Sequence, residues 1–289
     1  MKALIDPNKA FAEKPPVILI GSQRSGTTFM GNIFRKEPDF AYWEEPRHVW
    51  TRGNAYTRDD RLVERHARPR IKAYIRQTFA NYAQGKRFCG KTPSNCLRIP
   101  FVREVIPEAR LLLILRDGRA VLRSTGEIMQ QGVSTNRVLQ RAKQTPVTEW
   151  PAFLGQASST LVRRMTKKPL KYWGMRPPGW KSWIGLPRTE LLAHQWAGAM
   201  TVALNDAEKL GPERIHIFRY EDLMTNPREV MQGVADFIGL ESPQDLIDRV
   251  ASKCDASRAS KWRKELDPVE LDRVRPILEP VLTRMGYEW

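Results

Sequence analysis

Four aliphatic residues, Val17-Ile18-Leu19-Ile20, stand between Pro15-Pro16 and Gly21, and five positions later comes a second glycine, Gly26. A short β-branched run bounded by Pro and Gly reads as a buried strand over 17–20. Behind it Phe29, Met30, Ile33 and Phe34 recur at helical spacing, so a helix is expected over about 26–36. The unit returns. Leu111 to Leu115 is a second apolar run with helical composition behind it at 120–131, and 214–219 is a third, with a helix expected at 224–240. Continuous apolar strands alternating with helices specify a parallel sheet covered on both faces, so the expected fold class is three-layer α/β/α around a central parallel sheet. Anion sites in such sheets lie where strands hand over to helices, at the carboxyl ends of the strands.

The loop Gly21-Ser-Gln-Arg-Ser-Gly26-Thr27-Thr28 has the G-x-x-x-x-G spacing of a phosphate-binding turn, in which backbone N–H groups and a helix N-terminus cradle an anion. A nucleoside triphosphatase would carry Lys at position 27; here it is Thr, and the cation sits inside the loop as Arg24. A guanidinium holds two oxygens of one anion without a metal. The whole chain agrees, since 48 Lys and Arg face 32 Asp and Glu, a net charge of +16 that attracts anionic partners. A composition 41% hydrophobic excludes a disordered chain. Cys89, Cys96 and Cys254 fit neither a zinc site nor a disulfide framework, so free thiols and no metal are expected. The opening segment has Asp6 and no apolar core of signal-peptide length, from which a cytoplasmic location is expected.

Arg24-Ser25-Gly26-Thr27-Thr28 resembles the 5′-phosphosulfate loop of the sulfotransferase superfamily. These enzymes move a sulfonate from 3′-phosphoadenosine 5′-phosphosulfate (PAPS) to an acceptor and release adenosine 3′,5′-bisphosphate (PAP). Arg116-Asp-Gly-Arg-Ala-Val-Leu-Arg-Ser124 is similar to the family's 3′-phosphate motif, which implies that Arg116 and Ser124 grip that phosphate. Arg219-Tyr220-Glu221-Asp222-Leu223 resembles the stretch whose Tyr lies near adenine, making Tyr220 a candidate contact. Ser260-Lys261-Trp262-Arg263-Lys264 resembles the late basic loop that closes over the nucleotide, as in tyrosylprotein sulfotransferases. The motifs are most similar to the tyrosylprotein and bacterial carbohydrate branches, and they cover residues 16–48, 88–128 and 190–264. The resemblance implies a P-loop-like fold, PAPS as co-substrate and PAP as product, with no metal.

In-line transfer needs a base for the acceptor proton and cations for the leaving oxygens. Trp43-Glu44-Glu45-Pro46-Arg47-His48 is similar to the Glu-Glu-x-Arg segment of tyrosylprotein sulfotransferases, whose catalytic Glu falls on Glu45. Other branches use a His, so His48 is the second candidate. Lys91, in Gly90-Lys91-Thr92-Pro93, matches the lysine that contacts the sulfonate or bridging oxygen, and Arg24 shares that role. Pro93 stands where one branch has its catalytic His, which shifts the base to Glu45 or His48.

A single domain over 1–289 is expected, with a basic, tryptophan-rich insertion at about 150–189 that contains no Asp or Glu. The charged stretch 52–76 reads as a solvated amphipathic helix. His194 on the helix around 190–204 reads as packing, and Trp196 and Met200 as core. Basic residues at 58–76 and 163–188 point to an anionic acceptor or a lipid surface, and the tryptophans to stacking on sugars. A carbohydrate or glycolipid hydroxyl is therefore favoured, with contact to a membrane face as a further expectation. No nucleic-acid motif accompanies the charge. Two competing readings stand beside this one: a P-loop kinase or triphosphatase with a degenerate loop, and a non-enzymatic polyanion binder.

Overall fold

Five strands form the centre: β1 (Val17–Ile20), β2 (Phe40–Glu44), β3 (Arg87–Lys91), β4 (Arg110–Leu115) and β5 (Ile215–Arg219). A computed structural model describes residues 5–131 and 172–289. The strands lie in the order β2-β3-β1-β4-β5, and every pairing is parallel. From β1 the chain moves to one side of the sheet for β2 and β3, then crosses to the other for β4 and β5. The turns after β1 and β4 therefore diverge, and a crevice opens at the carboxyl end of this switch point. The register Ile20↔Leu113 puts Gly21 and Arg116 on its two rims.

Alternation along the two central strands divides the core. Ile18, Ile20, Leu111, Leu113 and Leu115 face helices Pro69–Ala83, Ile99–Val105, Arg188–Ala207 and Pro268–Arg284. Val17, Leu19, Leu112 and Ile114 face helices Thr27–Phe34, Pro227–Ile238 and Gln244–Ala251. Each fully buried aliphatic side chain contributes about 1.5–3 kcal/mol, so the two-faced burial of β1 and β4 accounts for their unbroken apolar runs. Trp196 and Met200 are core, as expected.

Three expectations are corrected. The stretch 52–76 is not one helix: residues 51–63 form turns, with Gly53 at φ +70°, and the helix begins only at Pro69. Proline fits the first helical position, where its missing N–H is no loss, whereas inside the helix expected over 52–76 it would remove a hydrogen bond and crowd the preceding turn. The 224–240 helix is two, Tyr220–Thr225 and Pro227–Ile238, because Pro227 donates no N–H and its predecessor Asn226 leaves helical geometry at φ −126°, ψ 57°. Strands β2 and β3 were not expected from periodicity; FAYWE and RFCGK mix polar and apolar residues. Of the basic insertion, 172–187 carries one 3-10 turn, Trp180–Trp183, and 150–171 lies outside the described residues. His194 stacks on Trp183, the rings 5.6 Å apart. No helix among the described residues is long and apolar enough to cross a membrane.

Candidate active site

The turn after β1 is built on two left-handed residues. Arg24 has φ +66° and Gly26 φ +93°, and Ser25 N–H between them donates to Ser22 O at 3.2 Å. Turns of this kind let successive N–H groups converge on an anion. Thr27 and Thr28 open the following helix, whose first-turn N–H groups lack intrahelical partners. A Cβ on Gly26 would lie 2.3 Å from the Tyr220 ring, so the position rejects any side chain twice, by φ and by space. Gly26→Ala is expected to cost at least about 1–3 kcal/mol from the forced left-handed backbone alone, read as a fall in denaturation midpoint, and to displace Tyr220.

The two basic turns meet in one place. Arg24 Nε donates to Ser124 Oγ at 2.9 Å, and Arg116 Nη1 donates to the Arg24 carbonyl at 2.6 Å. Ser124 lies nearly two turns into helix Gly118–Gln131, facing back over the loop. The Arg116 guanidinium rests 4.4 Å above the Tyr220 ring, whose own exposure is 6%. Tyr220 is thus a buttress between Arg116 and Gly26. Ser25 Oγ and Arg116 Nε are buried with no hydrogen-bond partner among the described residues. Anion oxygens would remove that desolvation cost, so the crevice fits a phosphorylated ligand.

On the other side of β1, the carboxyl ends of β2 and β3 bring the second cluster together. Lys91 pairs in register with Leu19 and with Glu44, one strand spacing from each. Glu45 takes φ +54°, held by its N–H donating to Lys91 O and its carbonyl accepting from Arg47 N, both at 2.7 Å. A glutamate in the left-handed region is uncommon, and such residues concentrate at functional positions. Its carboxylate accepts from Lys91 Nζ at 3.0 Å and lies 3.4 Å from Arg47 Nε, while Glu44 lies 3.5 Å from Lys91 Nζ and is held by Arg35 at 2.8 Å. Lys91 is 2% exposed, an ammonium enclosed by two carboxylates at the rim of the anion loop. His48 lies in the short helix Arg47–Trp50 with its ring edge-on to Trp43 at 5.8 Å, and burial holds its pKa below the usual value.

The basic loop reaches the same helix as Ser124. Ser260 and Lys261–Lys264 form a short helical turn in which Trp262 lies under the Arg119 guanidinium at 4.3 Å and next to Arg263 at 4.9 Å. Glu265 binds Arg123 and lies 3.5 Å from Lys261. Sequence reasoning assigned no role to Gln23, Asp117, Arg119 or Glu221, all inside motifs it quoted. Gln23 takes Met175 N–H at 3.1 Å and donates to Gln195, tying the anion loop to the 172–176 segment. The signal for Asp117 and Arg119 was their i, i+2 opposite charge directly after a strand: Asp117 Oδ1 accepts from both Arg119 N–H and Nε. Burial pushes the Cys96 thiol up to about 12, and the Cys89 thiol rises for the same reason. No group of three potential metal ligands occurs among the described residues.

A parallel sheet with two arginine-bearing turns on adjacent strands, and a carboxylate–lysine pair beside them, is an arrangement suited to nucleotide-dependent group transfer. The profile of the sulfotransferase family matches residues 15–169 and 159–244, and the chain belongs to that family, as an enzyme of the PAPS-dependent kind. Protein-tyrosine sulfotransferase 1 of Danio rerio is 22% identical over 94% of this chain and 72% of its own. Protein-tyrosine sulfotransferase 2 of Gallus gallus is 26% identical over 99% and 74%. Among solved structures, the sulfotransferase domain from the curacin biosynthetic pathway superimposes with a TM-score of 0.58 at 15% identity, covering 95% of this chain and 99% of that one. The sulfotransferase domain of the Synechococcus PCC 7002 olefin synthase gives 0.55 at 16%, covering 96% and 97%. These two establish the expected fold. The kinase and polyanion-binder readings are set aside by the family match.

Proposed function

We propose that this enzyme transfers the sulfonate of PAPS to the phenolic hydroxyl of a tyrosine in an acidic segment, with Glu45 as general base. The observation that carries the nucleotide half is the clasp of Arg116 on the Arg24 carbonyl and of Arg24 on Ser124, which unites the two expected phosphate grips. The acceptor oxygen attacks sulfur as its proton passes to Glu45; the bond from sulfur to the bridging phosphate oxygen breaks, and PAP leaves with that oxygen's charge. Lys91 and Arg24 stabilise the charge on the leaving and equatorial oxygens. Ser260 to Lys264 close the nucleotide side.

For the acceptor, the protein-tyrosine sulfotransferase relatives support a phenol. Cations support an acidic context: the net charge is +16, and Arg47 Nε lies 3.4 Å from the Glu45 carboxylate, at the side proposed for the acceptor. A saccharide or glycolipid acceptor, favoured by charge and tryptophan content, and contact with a membrane face draw no support from these relatives.

Calorimetry with PAP tests the nucleotide half. Arg24→Ala and Arg116→Ala are each expected to weaken PAP by about tenfold or more, since a hydrogen bond to a charged group contributes about 1.5–3 kcal/mol. Affinities equal to the parent would remove the assignment. Radiolabelled sulfonate transfer to an acidic tyrosine peptide, its Tyr→Phe counterpart and an acidic saccharide tests the acceptor. Label on the saccharide alone overturns the tyrosine reading.

A further inference from the structure

We infer that residues 287–289 latch the nucleotide site, with Tyr287 acting through Glu221, and Trp289 acting through Arg119, as positioning residues for the 3′-phosphate turn and the Trp262 loop. The inference rests on the PAPS reading above. Seven contacts carry it. Tyr287 Oη donates to Glu221 Oε2 at 2.6 Å, and the other oxygen of Glu221 accepts from Asp117 N–H at 3.2 Å, the residue directly after Arg116. Arg119 Nη2 donates to the Glu288 carbonyl at 2.8 Å. The Arg119 guanidinium contacts two indoles, Trp262 at 4.3 Å and Trp289 at 5.1 Å. Arg219 donates to the Gly286 carbonyl at 2.8 Å and lies over the Tyr287 ring, fixing where the segment enters.

The consequence is geometric. The main chain at 116–119 carries one proposed anion grip, and its position is set by Glu221 from the helix Tyr220–Thr225 and by Arg119 packed against the 287–289 segment. Burial raises the Glu221 pKa against the pull of the Tyr287 hydroxyl, so removing that hydroxyl leaves a buried carboxyl with a poorer partner set. Trp262, the aromatic centre of the basic loop, is located by the same Arg119 that Trp289 holds. A change at 287 or 289 thus moves the nucleotide grips without touching Glu45, Lys91 or the acceptor side.

The test uses the full chain carrying Tyr287→Phe, Trp289→Ala and both together, with Trp289→Phe as the conservative variant. The double variant is expected to bind PAP, and to saturate with PAPS, about tenfold more weakly, with kcat and the acceptor KM within about twofold of the parent, the split expected when only donor binding is lost. Trp289→Phe should restore affinity, because a flat ring under the guanidinium is what the site uses. Unchanged PAP affinity, or kcat falling in step with melting temperature, overturns the latch; if Tyr287→Phe fails to fold, Trp289→Ala decides alone. Arg116→Ala separates the two readings. Loss of PAP there with none in the 287 and 289 variants sinks the latch and keeps the nucleotide site, whereas parental PAP affinity in Arg116→Ala sinks the nucleotide site itself.

Discussion

The Glu45→Gln enzyme is expected to turn over about 100- to 10,000-fold more slowly than the parent, the range a positioned general base contributes. Its PAP affinity should stay near the parental value. Gln keeps the size of Glu and an oxygen that can still accept from Lys91 Nζ, now 3.0 Å away, so the left-handed turn at the end of β2 has no reason to relax. What Gln lacks is a basic oxygen for the acceptor proton. The proposed nucleotide grips sit on the turns after β1 and β4, across β3 from Glu45. Steady-state rates at saturating PAPS, paired with calorimetry, separate chemistry from binding. His48→Ala serves as the counter-experiment, with near-parental turnover expected, because the His48 ring packs edge-on to Trp43 while Glu45 is the group paired with Lys91. Full activity in Glu45→Gln together with a dead His48→Ala would transfer the base to the histidine.

How much of this was legible in the sequence follows from where burial is complete. β1 and β4 are buried on both faces, so hydrophobicity alone marks them and the Gly- and Arg-bearing turns behind them. β2 and β3 end in the charged residues Glu44 and Lys91, which each other's proximity makes tolerable. A single strand's composition cannot reveal a charge that is neutralised only by its neighbour in the sheet, so the strands that carry the proposed base and lysine escaped periodicity. The resemblance to the Glu-Glu-x-Arg segment named Glu45 as a candidate, but only the folded chain shows its positive φ. Long-range contacts were equally silent. Nothing local to Tyr287 predicts a bond to Glu221, 66 positions away, and nothing local to Asp60 predicts Arg176.

That last pair supports the second large effect. Asp60 accepts Arg176 N–H and Nη2, each at 2.9 Å, its own N–H donates to Arg176 O at 2.8 Å, and Arg98 Nη2 lies 3.6 Å from its carboxylate. Arg98 is 3% exposed and also donates Nε to the Asp60 carbonyl at 2.9 Å. Removing the carboxylate charge leaves that guanidinium buried without its counter-ion, and breaking a buried pair in this way costs about 3–5 kcal/mol. Asp60→Asn is therefore expected to lower the urea midpoint sharply, while Asp60→Asn combined with Arg98→Met recovers much of the loss. A cost below about 1 kcal/mol would place the pair among screened surface contacts instead. The pH dependence has a definite sign. Burial alone would raise the Asp60 pKa, but Arg98 and Arg176 outweigh it and hold the carboxyl below its ordinary 3.8. The stabilisation is then complete above that value and is lost as pH falls through the lower, folded-state pKa, a loss Asp60→Asn should not show. Activity should fall along with stability, because the segment Asp60 secures at Arg176 begins beside Met175, whose N–H donates to Gln23 of the anion loop. The carboxylate that stitches two irregular segments together thereby also supports the turn proposed to hold the donor.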